Sequence, residues 1–133
     1  MKPWVPVIVW MAAIFIFSSN QRIAVSEEQV INFIVFKTLH VSEYAILYLL
    51  CYRAIRSTWP GSARLWHVAS FLLSIGYAVT DEIHQMFVPT REGRARDVII
   101  DAIGAGIIWI SLVKLLPKAP RRLRAWVRAL GIG

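Results

Sequence analysis

The chain has 133 residues, of which 57% are hydrophobic, with six tryptophans and a formal net charge of +7. A mean hydropathy of +0.55 is more than a soluble domain of this size can cover with polar surface, so one compact membrane domain is expected. The basic balance does not point to nucleic acid, because no soluble basic module can be cut from a chain that is apolar almost end to end.

Trp4 to Phe17 is apolar and gives a first span, short against the roughly 20 residues a bilayer helix needs. Lys2 before it resembles a signal-peptide start, but Phe17-Ser18-Ser19-Asn20 lacks the small-x-small pattern of a cleavage site, so the segment is expected to be retained. Ser26 with Gln29 three residues on matches a capping box, which predicts a helix start there and a run through Val30 to Phe36. That run either lies in the membrane interface or extends the next span. Leu39 to Ile55, Leu65 to Val88 and Val98 to Leu116 are the second, third and fourth spans, with breaks at Pro60-Gly61 and Pro89 to Arg96, and Pro117 closing the last. The fold class expected is therefore an all-α integral membrane protein, a four-transmembrane-helix bundle over residues 1–117 followed by a basic tail over 118–133. Cys51, the single cysteine, sits inside an apolar run and reads as small hydrophobic filler.

An even number of spans places both termini on one side. Nine basic residues then fall on that side (Lys2, Arg53, Arg56, Arg64, Lys118, Arg121, Arg122, Arg124 and Arg128) and five on the other (Arg22, Lys37, Arg91, Arg94 and Arg96). The positive-inside rule puts both termini in the cytoplasm. All eight acids lie toward the opposite side. The tail from Lys118 to Arg128, interleaved with Leu123, Trp126 and Val127, is either a topology anchor or a short helix on anionic headgroups.

With this topology, polar groups from distant parts of the chain reach one extracytoplasmic level: Ser18 and Ser19, then Lys37, His40, Glu43 and Tyr44, then Asp81, Glu82, His84 and Gln85, then Asp97 and Asp101. Ionisable groups inside spans cost roughly 2.5 to 3.5 kcal/mol each on insertion, so they should face one another. At 100° per residue Lys37, His40 and Tyr44 form one stripe with Glu43 at its edge, Asp81, Glu82 and Gln85 occupy one arc, and Asp97, Asp101, Gly104 and Ala105 share a face. His40, Glu43, Asp81, Glu82 and Gln85 are the candidates for acid–base work. Ser18, Ser19, Lys37, Tyr44, Arg91, Arg94, Asp97 and Asp101 are the candidates for holding a ligand, the two arginines by bidentate contact with phosphate or carboxylate. His40, Asp81, Glu82, His84 and Asp101 also carry donors that suit a divalent cation. No pair of them follows a recognised ligand spacing, so no metal or other cofactor is assigned. A buried ion-pair network that fixes the helices accounts for much of the same pattern.

Phe17-Ser18-Ser19-Asn20, Lys37-Thr38-Leu39-His40 with Glu43-Tyr44, the run Thr80 to Arg91 (Thr-Asp-Glu-Ile-His-Gln-Met-Phe-Val-Pro-Thr-Arg), and Asp97, Asp101 and Gly104 together resemble the VanZ-like family. Asn20 and Asp101 stand where that pattern has Gln and Asn. The resemblance implies a small multi-pass protein of the bacterial cytoplasmic membrane, in a family whose namesake is associated with teicoplanin resistance. It assigns no reaction. Three readings follow: a cleft that binds or modifies the polar head of a lipid, a lipid-linked envelope precursor or a lipoglycopeptide; a hydrolase or transferase using His40 or Glu82 as base; and a membrane scaffold. A transporter is disfavoured, because short spans with polar groups at one end offer no through-pathway. The partners implied are membrane lipids and such an amphiphile, and no nucleic acid.

Overall fold

The computed structural model describes residues 2–20, 27–89, 91 and 93–132. A turn of 3₁₀ helix (Lys2–Trp4) leads into α1 (Val5–Ser19), followed by α2 (Gln29–Thr58), α3 (Ala63–Gln85) and α4 (Ala95–Ile110). A π-helical turn (Ser111–Leu115) and a 3₁₀ turn (Leu116–Lys118) then connect to α5 (Arg121–Ala129). No strand occurs among the described residues.

Helix α2 is the hub, packing against α1, α3 and α4, while α3 also meets α1 and α4. The interior is unusual for its polarity. Val7, Ile14, Tyr44, Leu47, Cys51 and Ala54 are buried, but so are Ser18, His40, His67, Ser70, Ser74, Asp81, Glu82, Gln85, Asp97 and Asp101. The outside is apolar, with Ile8, Val9, Leu72, Ile99, Ile107 and Ile110 more than half exposed. An apolar shell around a polar interior is the distribution a bilayer selects, because lipid solvates Leu and Ile as well as a neighbouring helix does, whereas polar groups must find partners inside.

Three segments are long and apolar enough to cross a membrane: Lys2–Ser19, Gln29–Thr58 and Ala95–Lys118. Helix α3, with 23 residues, reaches about 34 Å and matches them in length. Its composition sets it apart, because the residues it buries, His67, Ser70, Ser74, Ala78, Asp81, Glu82 and Gln85, recur at helical spacing and are nearly all polar. The face α3 turns inward lowers its hydropathy. The described fold is thus all-helical with three clear candidate spans where the sequence suggests four.

The structure decides one open alternative and corrects two of the predicted helix boundaries. The run from Val30 to Phe36 is continuous with the second span, so α2 is a single 30-residue helix. Its N-cap is Glu28, whose side chain makes no capping bond, and Ser26 of the expected capping box lies outside the described residues. Helix α3 stops at Gln85, short of Val88, with turns over Met86–Pro89 in which the Phe87 and Val88 amides donate back to His84 and Gln85. Helix α4 loosens at Ser111, six residues before Pro117: the Ser111 hydroxyl donates to the Ile107 carbonyl at 2.7 Å, and the chain passes through the π turn before proline enters.

The α2–α4 contact depends on Gly104. A Cβ there would run into the Val41 carbonyl oxygen, so only hydrogen lets the two backbones come this close. Gly76 on α3 has open space around it. Gly104→Ala is expected to destabilise the detergent-solubilised protein by about 1–3 kcal/mol through overpacking, and Gly76→Ala to stabilise it by about 0.5–1 kcal/mol through helix propensity. Thermal unfolding of the two variants side by side measures both, and equal shifts would refute the close-packing assignment.

Candidate polar cleft at one end of the bundle

The C-terminal ends of α1 and α3 and the first turns of α4 converge on α2 near His40. Each helix contributes a polar face because a carboxylate in this setting is tolerated only where another polar group meets it. Lys37 of α2 forms an ion pair with Asp97 of α4, with side chains 11% and 4% exposed, and the Arg96 guanidinium lies 3.6 Å from the same carboxylate oxygen. One turn further along, His40 Nδ1 lies 3.2 Å from Asp101 Oδ1. On α3, the Gln85 side-chain amide donates to Asp81 Oδ2 at 2.8 Å, and the Arg91 guanidinium donates to Gln85 Oε1 at 3.4 Å. Glu82 Oε2 accepts the Arg94 backbone amide at 2.9 Å, which fastens the start of α4 to the end of α3.

Arg91 also donates to the Phe17 carbonyl at 2.9 Å and the Asn20 carbonyl at 3.0 Å. The Phe17 carbonyl otherwise accepts the Asn20 amide at 3.4 Å, and a cation at the end of α1 meets the negative end of the helix dipole. Arg91 therefore ties α1 to the α3–α4 loop as well as bordering the cluster. Arg94 differs: its backbone reaches Glu82, while its side chain is exposed.

A cavity of about 250 Å³ opens beside these groups, lined by Phe17, Ser18, Phe36, Leu39, His40, Glu43, Asp81 and Arg91. Its polar wall is His40, Glu43, Asp81 and Arg91. Its rim includes Phe17 and Leu39, both half exposed on the apolar outer surface of the bundle. Tyr44 is fully buried behind that wall.

Of the residues singled out from sequence, His40, Glu43, Asp81, Ser18 and Arg91 line the cavity. Gln85, Tyr44, Glu82, Asp101, Lys37 and Asp97 form the polar packing around it. Ser19 points elsewhere: its hydroxyl is bonded to His84 Nε2 at 3.0 Å and to the Phe15 carbonyl at 2.6 Å, while the His84 ring stacks on Phe15 at 4.3 Å. That pair is a contact between α1 and α3. Ser18 donates to the Phe15 carbonyl of its own helix at 3.0 Å.

Four polar residues that sequence reading passed over have defined partners. Trp10 Nε1 donates to the Glu43 carbonyl at 3.0 Å and the Tyr77 hydroxyl to the Met11 carbonyl at 2.6 Å, both between helices. At the far end of the bundle His67 Nδ1 and the Tyr48 hydroxyl share a hydrogen bond of 2.6 Å, inside a stack with Tyr52 and Trp109. The available signal was that an indole N–H, phenol or imidazole within a span must reach an acceptor.

These features define a helical membrane protein with an acid-rich polar cleft at one end of its bundle. Residues 4–116 match the family model described as VanZ/LLP1, so the chain belongs to the VanZ/LLP1 family. No curated protein and no solved structure matches it.

The Lys37–Asp97 pair allows a direct measurement. Among the described residues, Lys37→Met leaves Asp97 with the more distant Arg96 as its ion-pair partner, and Asp97→Asn removes the carboxylate that Lys37 pairs with. Each single substitution should cost on the order of 3–5 kcal/mol, and the double variant should recover much of that loss. A double-mutant cycle on unfolding in detergent reads the coupling. Strictly additive losses would mean that the pair does not hold α2 to α4.

Proposed function

We propose that this VanZ-family protein crosses the bacterial cytoplasmic membrane four times with both termini in the cytoplasm, and that its cleft, on the extracytoplasmic side, holds the polar head of an envelope amphiphile. The candidate ligands are a phospholipid, a lipid-linked envelope precursor and a lipoglycopeptide of the teicoplanin kind. The observation that carries this reading is the cavity itself: charged side chains on one wall and half-exposed Phe17 and Leu39 at the rim. A head group binds on the charged wall while its chains stay among the surrounding lipids. Residues that exchange protons, His40, Glu43 and Asp81, adjoin the same space, so the site is equipped for acid–base chemistry on a bound ester or phosphate. The scaffold reading is supported by a different observation, the bonding of Arg91 to the backbone of α1.

The topology is tested with a Cys51→Ser background carrying Gly61→Cys. The new thiol should stay protected from an impermeant reagent in whole cells and react after permeabilisation. Labelling in intact cells would reverse the orientation.

For the ligand, Leu39→Trp fills the rim and Glu43→Gln removes a charge from the wall without changing its shape. The wild-type protein, gently solubilised, should carry an amphiphile with a phosphate or carboxylate head, visible by native mass spectrometry. Both variants should lose most of it at an unchanged melting temperature, and expression of the wild type should shift teicoplanin susceptibility more than either variant does. Undiminished retention of the amphiphile by both variants would rule the cleft out and leave the scaffold.

A further inference from the structure

Beside the cavity, the side chains of His40, Glu82 and Asp101 come from three different helices and present one ligand atom each, all within 4.8 Å of one another. All three residues are more than nine-tenths buried, with exposures of 6%, 5% and 1%. Asp101 Oδ1 is met by His40 Nδ1, but among the described residues Asp101 Oδ2 and Glu82 Oε1 have no hydrogen-bond partner within the protein, and Asp81 Oδ1 and the Tyr44 hydroxyl are likewise unpartnered. At the far end of the bundle, by contrast, Tyr48 and His67 satisfy each other. Carboxylate oxygens orphaned so deep are tolerated when something outside the polypeptide meets them.

We propose that His40, Glu82 and Asp101 form a binding site for one divalent first-row transition ion of the zinc class. Two carboxylates and one imidazole neutralise a dication, and the imidazole favours zinc or its neighbours over magnesium and calcium. In a tetrahedral site with bonds of about 2.0–2.1 Å, ligand atoms stand about 3.4 Å apart. His40 Nδ1 and Asp101 Oδ1, at 3.2 Å, already have that spacing. Glu82 completes the set within 4.8 Å, and its Oε2 accepts the Arg94 amide. That amide orients the ligand as outer partners do in protein metal sites. The ion joins α2, α3 and α4 at one point, and this proposal stands whether or not the cleft receives an amphiphile.

The test uses the full chain purified in detergent, stripped with EDTA and exchanged into metal-free buffer. After incubation with zinc chloride and gel filtration, elemental analysis should find one zinc per chain, and the melting temperature should rise relative to the stripped protein. Cobalt(II), used as a probe in place of zinc, should give the visible d–d bands of a low-coordinate N/O site. Glu82→Gln, Asp101→Asn and His40→Gln should each lower zinc retention at least tenfold, while His84→Gln and His67→Gln leave it unchanged. If the three ligand variants do not fold, the wild type decides: a melting temperature lowered by chelator and restored by zinc supports the site. Failure of the wild type to retain zinc, cobalt or manganese overturns the proposal. So does retention undiminished in all three ligand variants, which would place the metal elsewhere.

Discussion

The architecture depends on the cost of putting charge where there is no water. Within lipid, burying apolar side chains between helices gains little, because acyl chains are as apolar as leucine, so packing and polar ties decide how helices assemble. Here the ties converge. Lys37 and Asp97 join α2 to α4, His40 and Asp101 do so again one turn on, Glu82 holds the start of α4 to the end of α3, and Arg91 captures the end of α1. A surface ion pair is worth about 0–1 kcal/mol, but removing one partner of a buried pair costs several times that. Each tie therefore excludes other helix arrangements more strongly than it stabilises this one, and Gly104 permits the close approach that brings α2 and α4 into register.

The two ends of the bundle solve the burial problem differently, and the contrast is informative. At the end near Tyr48, Tyr52, His67 and Trp109, neutral aromatic rings stack and the one buried imidazole is answered by a phenol. At the other end, oxygens of Asp81, Glu82 and Asp101 remain without partners inside the protein although they are as deeply buried. Pure scaffolding would favour the first solution at both ends. The surplus of acceptors at one end is the reason for placing function there.

Much of this was legible in the residue pattern, for identifiable reasons. Helical spacing put Asp97, Asp101, Gly104 and Ala105 on one face and His40 with Tyr44 on another, and all six are buried together. The cluster could be anticipated because isolated charges cannot stay in a span. Distances between helices were not legible: Arg91 and Arg94, three residues apart and chemically alike, part company because one reaches the α1 carbonyls and the other turns outward. The three candidate metal donors were individually noticed, but sequence spacing recognises ligands that share one helix or loop, and these come from three helices. The start of α2 stayed open in the sequence, because a polar-flanked apolar run reads equally as an interfacial helix or as the first turns of a longer one; it is the latter. The departure of α4 from α-geometry at Ser111 left no proline or glycine at that point to announce it.

The length of α2 has a consequence of its own. Thirty residues rise about 45 Å, well beyond the roughly 30 Å of a hydrocarbon core, and His40 stands in the twelfth position from the N-terminal end. The turns before it, with Val30, Phe33 and Ile34 more than half exposed, continue past the convergence of the other helices as an apolar post. On the proposed topology, the cleft beside that post is entered sideways, between acyl chains, and not from the aqueous face. Its occupancy would then follow the mole fraction of the amphiphile in the leaflet. Because a membrane gathers such molecules into a thin layer, a site that is weak by solution standards can stay filled, and diluting the bilayer with inert lipid would empty it even at constant total ligand.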